Sequence, residues 1–61
     1  MKITNYKNAY TIFERSPYNG MYVVALYIGT ELKDKMRCDT YRGAREYLRA
    51  FNAIARNASK G

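Results

Sequence analysis

The sequence predicts an α+β domain with the order β-β-β-α, in which a three-stranded antiparallel meander carries one C-terminal amphipathic helix packed on one face. Three observations predict this class. Short segments rich in β-branched and aromatic residues fill the first part of the chain, turn-forming residues separate them, and the apolar residues change to helical spacing near the end. A chain of 61 residues has room for a single small domain, because it buries only about 60% of the surface that it exposes when unfolded.

The first predicted strand spans residues 9–15, and the residues before it are ambiguous. Residues 1–8 fit neither a two-residue nor a 3.6-residue period, so they are expected to be coil or a short strand. Residues 9–15, AYTIFER, combine aromatic and β-branched side chains, which favour a strand. The segment SPYNG over residues 16–20 then predicts a hairpin loop, because proline fixes φ while Asn and Gly tolerate positive φ.

The central strand is predicted over residues 21–28, MYVVALYI, which is apolar on both faces. Residues 29–34, GTELKD, predict a second and more polar turn. Residues 35–38, KMRC, are predicted to form a short third strand. Its alternation places Met36 and Cys38 on one face and the two basic residues on the other.

The predicted helix begins after Asp39 and Thr40, which are both favourable N-cap residues. Beyond them the apolar residues recur at intervals of three and four, as on one side of an amphipathic helix. These residues are Tyr41, Ala44, Tyr47, Leu48, Phe51, Ile54 and Ala55. Gly43 weakens the first turn by up to about 1 kcal/mol relative to alanine. Residues 57–61 are predicted to be a frayed tail of this single domain.

The composition argues against catalysis and against a metal or cofactor. The chain has no histidine, and its five carboxylates are scattered singly, so the usual general bases and triads are absent. Its one cysteine, Cys38, excludes an intramolecular disulfide and cysteine-based metal spacings. The longest apolar run, residues 21–28, is well short of the roughly 20 residues of a membrane-spanning helix. We therefore expect a protein that is not an enzyme, with no membrane partner and a cytoplasmic location.

Positive charge is concentrated in the region of the predicted helix. The chain has 11 Lys and Arg against 5 Asp and Glu, which gives a net charge of +6. Residues 1–39 hold six basic and four acidic side chains, a net +2, whereas residues 40–61 hold five basic and one acidic, a net +4. This imbalance favours a polyanionic partner, either nucleic acid or an acidic protein surface.

One side of the helix carries a row of arginines. Spacings of three and four place five side chains on it, Arg42, Arg45, Arg49, Asn52 and Arg56. We expect this row to lie opposite the apolar stripe and to contact a polyanion, with Lys35 and Arg37 assisting. The alternative is an ordinary solvated face, because arginine is a good helix former. Like charges one turn apart are mildly unfavourable, and Glu46 is the one acid nearby, so the row favours an acidic ligand.

Tyrosine is the second unusual feature, with seven in the chain. Tyr22 and Tyr27 stand five residues apart on the central strand, so they point to opposite faces and one lies on the face that the helix leaves uncovered. With Met21 and Tyr18 they form a candidate interface for a protein partner or a second copy, or a stacking platform for bases. The other interpretation is tyrosine that fills the core with its hydroxyl at the rim. A basic, polar uncovered face favours nucleic acid, whereas an apolar, tyrosine-rich one favours a protein interface or homodimer.

The stretch from Tyr10 to Asn57 resembles the small DNA-binding domain at the N-terminus of tyrosine-type integrases of phages and transposons. The strands YVVALYI and KMRC carry part of the resemblance, and a helix series of Thr, Ala, an aromatic residue, Leu and Phe carries the rest. That series is matched here by Thr40, Ala44, Tyr47, Leu48 and Phe51. The resemblance implies a β-β-β-α core and readout of the DNA major groove by the open sheet face. The strand YVVALYI has no charge, so strand charge could come only from Arg15, Lys35 and Arg37, and the basic density lies on the helix instead.

The sequence supports two functional hypotheses. The first is nucleic-acid binding of low sequence specificity, in which the arginine row contacts phosphates. The second is an inhibitor or adaptor encoded by a phage or mobile element, of the anti-CRISPR kind, acting in the cytoplasm of a bacterial host. Such a protein would bind a host protein or nucleoprotein through its tyrosine-bearing sheet face and its arginine row.

Overall fold

The computed structural model describes residues 1–60, which form one antiparallel sheet and one helix. The elements are β1 Lys2–Asn5, β2 Ala9–Arg15, β3 Tyr22–Ile28, β4 Glu31–Cys38 and α1 Tyr41–Ala58. The sheet order is β1-β2-β3-β4, so each strand pairs with its neighbour in sequence. The α+β class is confirmed, and the meander has four strands rather than the predicted three.

The additional strand is β1, which lies within the segment that the sequence left ambiguous. It pairs with β2 from Lys2 opposite Phe13 to Asn5 opposite Tyr10. A four-residue strand at the edge of a sheet is too short to establish a two-residue period. Its assignment therefore depends on the neighbouring strand, which supplies the hydrogen-bonding partners that the local sequence does not reveal.

The turn before β4 is much shorter than the predicted turn over residues 29–34. Gly29 has a φ of 64°, a left-handed conformation that glycine adopts without a steric penalty. The chain therefore reverses within Gly29 and Thr30, and the rest of the predicted turn becomes strand. As a result β4 has eight residues, Glu31–Cys38, instead of the four that the sequence predicted.

A bulge in β4 changes which of its residues face the helix. Leu26 pairs with Asp34, whereas Tyr27 pairs with Leu32, so Lys33 is left without a partner in the register. An extra residue in one strand reverses the in-out alternation beyond it. The bulge consequently places Leu32 beside Tyr27 on the sheet face that points away from the helix.

The helix α1 is capped at both ends, and the predicted frayed tail is wrong for the residues that the structure describes. The Thr40 Oγ1 accepts a hydrogen bond from the Gly43 N–H at 3.1 Å, so Thr40 and not Asp39 is the N-cap. At the other end α1 runs to Ala58, and the backbone N–H of Asn8 donates to the Ser59 Oγ at 2.9 Å. This bond ties the end of the helix to the β1–β2 hairpin, while Gly61 lies outside the described residues. Within residues 1–60, no helix has the length and apolar character needed to cross a bilayer.

The core lies between α1 and one face of the sheet, where the helix packs mainly over β2 and β3 and less over β4. The buried cluster comprises Ala9, Val24, Leu26, Ala44, Phe51 and Ala55. The predicted helix stripe is wrong at its margins, where the side chains are exposed. These exposed residues are Tyr41, Tyr47 and Ile54. A single helix on an open sheet buries only a narrow strip of its surface, so the flanks of a broad apolar stripe remain in solvent.

Candidate nucleic-acid interface

An open groove of about 580 Å³ runs between α1 and the edge of the sheet at β1 and β2. Its basic residues come from the helix and from the first strand. They are Lys2, Arg42, Arg45, Arg49 and Arg56. The remaining lining residues are Phe13, Tyr41, Glu46, Leu48 and Asn52. We call this surface the basic groove, and it brings the four predicted arginines together in one concavity.

The arginine row lies on a flank of α1, and the expectation that it lies opposite the buried side is wrong. Successive helical residues are rotated by about 100°, which places the centre of the row roughly a third of a turn from the buried side. That buried side is marked by Ala44, Phe51 and Ala55. Exposed residues such as Glu46 and Ala53 lie nearer the opposite side. The flank position is what allows the row to share a groove with the sheet.

The groove exists because β1 extends the sheet beyond the area that α1 covers. Lys2 lies opposite Phe13 in the register of β1 and β2, and residues directly opposite each other share a face of the sheet. Phe13 packs against the buried cluster beneath the helix, so Lys2 is on the same side as α1. The helix covers β2 and β3 more fully, which leaves the strip at β1 as the floor of the groove.

Asn52 lines the basic groove with the arginines, and its side chain also anchors the helix to the sheet. The Thr11 Oγ1 on β2 donates a hydrogen bond to the Asn52 Oδ1 at 2.6 Å. Thr11 is 0% exposed, so its hydroxyl needs a partner within the protein. Because Asn52 stands one turn from both Arg49 and Arg56, this bond holds the arginine side of α1 against β2 together with the packing of the buried cluster.

One end of the groove carries an aromatic cluster. The Tyr41 ring meets the rings of Phe13 and Tyr22 edge-on, at centroid distances of 5.9 and 5.6 Å. The Arg45 guanidinium lies 5.7 Å from the Tyr41 centroid, and its Nη1 donates to the Tyr41 Oη at 3.0 Å. Tyr41 remains 52% exposed. An exposed ring beside a guanidinium is a combination that stacks on nucleic-acid bases.

The charges of the groove are not neutralised within residues 1–60. The one ion pair in this part of the chain joins the Lys33 Nζ and the Glu31 Oε1 at 3.9 Å on β4, away from the groove. Glu46 is the single acid in the groove lining. Like charges that line one concave surface add their fields and raise the local concentration of anions. Across the same residues, no three of the Cys, Asp and Glu side chains lie close enough together to hold a metal ion.

Lys35 and Arg37 lie on the other side of the molecule from the basic groove. Both were predicted to assist the arginine row, and the structure places both away from it. Lys35 pairs with Ala25, and Arg37 pairs with Val23. Their alternation with Met36, which packs toward the core, places both basic side chains on the sheet face away from α1. The predicted binding set therefore divides between two surfaces.

The predicted tyrosine interface also divides between the two faces. Tyr22 packs toward the helix beside Tyr41, so it is not part of an uncovered interface, as expected if Tyr22 and Tyr27 point to opposite faces. Tyr27 is on the uncovered face, where its ring stacks on Tyr10 with centroids 4.7 Å apart and planes 8° apart. Tyr18 is 96% exposed at the β2–β3 loop. It lines a shallow depression near the same face, together with the half-buried Met21.

The uncovered face, which we call the open sheet face, is mainly apolar. Its residues follow from the register of the four strands. They are Ile3, Asn5, Tyr10, Ile12, Glu14, Val23, Ala25, Tyr27, Leu32, Lys35 and Arg37. Charge occurs only near its rim, on β2 and β4. By the criterion drawn from the sequence, such a face favours a protein interface or a second copy over nucleic acid.

Sequence reasoning did not assign five residues of the basic groove to the binding site, Lys2, Phe13, Tyr41, Glu46 and Leu48. Tyr41 was assigned to the helix core, and Lys2 belongs to a segment without a detectable period. The alternation of residues 9–15 places Phe13 on the same strand face as Thr11, but nothing in it indicates which face the helix covers. Comparison of the chain with protein-family models, with curated proteins and with solved structures gave no match.

Proposed function

We propose that this chain is a non-catalytic protein that binds nucleic acid through the basic groove, with low sequence specificity. The observation that supports it is the concentration of Lys2 and four arginines around one open concavity that holds a single acid. Arginine forms paired hydrogen bonds to phosphate, and such contacts give affinity without reading sequence. Asn52, the one amide in the row, accepts a bond from Thr11, which agrees with contacts to the backbone rather than to base edges.

The aromatic end of the groove suits a strand whose bases are accessible. Tyr41 offers an exposed ring at the point where Arg45 provides positive charge. Base stacking on an aromatic side chain contributes about 1–3 kcal/mol per base and does not depend on base identity. We therefore expect single-stranded nucleic acid to bind at least as tightly as duplex of the same length.

The test is fluorescence anisotropy with labelled single-stranded DNA, duplex DNA and RNA at two salt concentrations. We expect binding that weakens as salt rises, because neutralised phosphates release counterions. In the double variant Arg45→Glu, Arg49→Glu binding should be lost at both salt concentrations. In the milder Arg45→Gln, Arg49→Gln variant the negative slope of log K against log salt should become less steep by about 2, roughly one for each phosphate contact removed.

The matched control is Lys33→Glu, Lys35→Glu, which makes the same change in net charge on β4. It should retain most of the binding, since both residues lie outside the groove lining. Equal loss in the two double variants would mean that net charge alone attracts nucleic acid, and the groove would have no specific role. An absence of binding even at low salt would exclude nucleic acid as the direct ligand.

A second candidate is an acidic protein surface, as expected of an inhibitor or adaptor of a host protein or nucleoprotein. The observation that favours it is the open sheet face, which is mainly apolar, carries the stacked Tyr10 and Tyr27, and has its basic side chains only on the edge strand β4. Arginine pairs with carboxylates in the same forked geometry as with phosphates. Binding of poly-glutamate but not of nucleic acid by the intact groove would favour this candidate.

A further inference from the structure

We propose that the open sheet face is a self-association surface and that its occupant is a second copy of this chain. The two copies would pack their sheets face to face, with the α1 helices on the outside of a symmetric dimer. This inference is independent of the nucleic-acid proposal, because the surface lies on the opposite side of the sheet from the basic groove.

The central strand has the composition of a strand that is covered on both sides. β3, YVVALYI, contains no charged residue, although α1 covers only one of its faces. On the uncovered side Ala25 is already buried between its neighbours, and Val23 and Tyr27 stand on either side of it along the strand. Strands that are apolar on both faces are typical of sheets covered on both faces. A second sheet supplies that cover at the usual spacing of about 10 Å.

The charges on this face favour a second copy over an unrelated partner. Glu14, Val23 and Arg37 form one row across the sheet, with the acid on β2 and the base on β4. Neither Glu14 nor Arg37 takes part in an ion pair within residues 1–60. A two-fold axis along β3 places β2 of each copy over β4 of the other. Glu14 of each copy then meets Arg37 of the other, which gives two ion pairs from one row.

The apolar residues match under the same axis. Tyr10 on β2 of each copy lies over Leu32 on β4 of the other copy, and Leu32 is 47% exposed in the single chain. Tyr27 and Val23 lie on the axis and meet their own counterparts. Lys35 of each copy lies over Ile12 of the other copy, so that its aliphatic stem covers the isoleucine while its ammonium group reaches the rim of the interface. An isologous interface must be complementary to itself in this way, in shape and in sign.

The first experiment is sedimentation equilibrium of the full chain from micromolar to millimolar concentration, which should show a species of twice the 7.1 kDa chain mass. Glu14→Arg places two pairs of arginines opposite each other across the interface, and Arg37→Glu places two pairs of glutamates opposite each other. Each single variant should raise the dimer dissociation constant by roughly tenfold or more, because like charges across an interface oppose association.

The decisive measurement is an equimolar mixture of the two single variants. In a mixed dimer the arginine introduced at position 14 of one copy meets the glutamate introduced at position 37 of the other. The unchanged Arg37 of the first copy likewise meets the unchanged Glu14 of the second, so the mixture should dimerise with close to the affinity of the original chain. Glu31→Arg and Lys7→Glu are controls with the same charge changes at exposed positions outside this face, and both should dimerise normally. Circular dichroism of each variant establishes that it is folded.

Three outcomes would overturn the proposal. A chain that stays monomeric up to millimolar concentration has no self-association surface, and the open sheet face then belongs to another partner. A dimer that withstands both single variants is formed through another surface. Failure of the mixture to recover, with both variants folded, excludes the pairing of Glu14 with Arg37 across a two-fold axis.

Discussion

At the scale of single residues, the most consequential contact is the hydrogen bond between Thr11 and Asn52. It crosses from β2 to α1 with a donor–acceptor distance of 2.6 Å, and it joins a fully buried strand hydroxyl directly to the helix. The sequence grouped Asn52 with the arginines because spacing alone assigns residues to one side of a helix. Whether an amide on that side faces solvent or a buried hydroxyl depends on what the opposing strand presents there.

We predict that Asn52→Ala lowers the free energy of unfolding by about 1–3 kcal/mol, because the buried Thr11 hydroxyl loses its partner. Urea denaturation followed by far-UV circular dichroism measures this change. The double variant Thr11→Val, Asn52→Leu should recover much of the loss, since both polar groups are then removed together. Asn57→Ala, an exposed position on the same helix, should be nearly neutral. If Asn52→Ala left the free energy of unfolding unchanged, that result would contradict the anchoring role of Asn52.

At the scale of elements, β4 shows how two local features set the composition of a surface. The turn at Gly29 lengthens the strand toward its start, and the bulge at Lys33 reverses its alternation. Without the bulge, Leu32 would share the face of Asp34 and the open sheet face would lose an apolar residue beside Tyr27. Bulges in edge strands also limit uncontrolled pairing with other chains.

We predict that Gly29→Ala destabilises the protein by about 1–2 kcal/mol, the usual cost of placing an L-residue in a left-handed conformation. A Cβ added at Gly29 meets no atom within 4 Å, so the effect comes from the backbone alone and not from a clash. Gly29→Asn should cost less than Gly29→Ala, because asparagine tolerates this conformation better. Urea denaturation gives both values, and an equal or smaller loss for alanine would show that the turn relaxes to another geometry.

At the scale of the whole molecule, the sheet separates two surfaces of different chemistry. The basic groove lies on the helix side at β1, and the open sheet face lies on the other side. In a face-to-face dimer the two helix layers are about 30 Å apart, from one inter-sheet and two helix-to-sheet spacings of about 10 Å each. Both basic grooves then stay accessible, so self-association and anion binding do not compete.

We predict that tripolyphosphate raises the thermal unfolding midpoint Tm more than sodium chloride does at equal ionic strength. An anion that binds the folded groove stabilises it by about 1.4 kcal/mol at ten times its dissociation constant. For a domain of this size that corresponds to a rise in Tm of roughly 6–11 °C. The Arg45→Gln, Arg49→Gln variant serves as the control and should lose most of the difference between the two salts. An equal response of both proteins would mean that the anion acts through general screening.

The sequence by itself determined the α+β class, the β2–β3 hairpin, the helical arginine row and the apolar central strand. Each of these depends on short-range periodicity or turn chemistry, which a few consecutive residues express. The tertiary structure alone decided that residues 2–5 form a strand, that Asn52 is an anchor and that Lys35 and Arg37 lie apart from the arginine row. These features depend on register and on which sheet face the helix covers, and both are set by contacts between residues far apart in the chain.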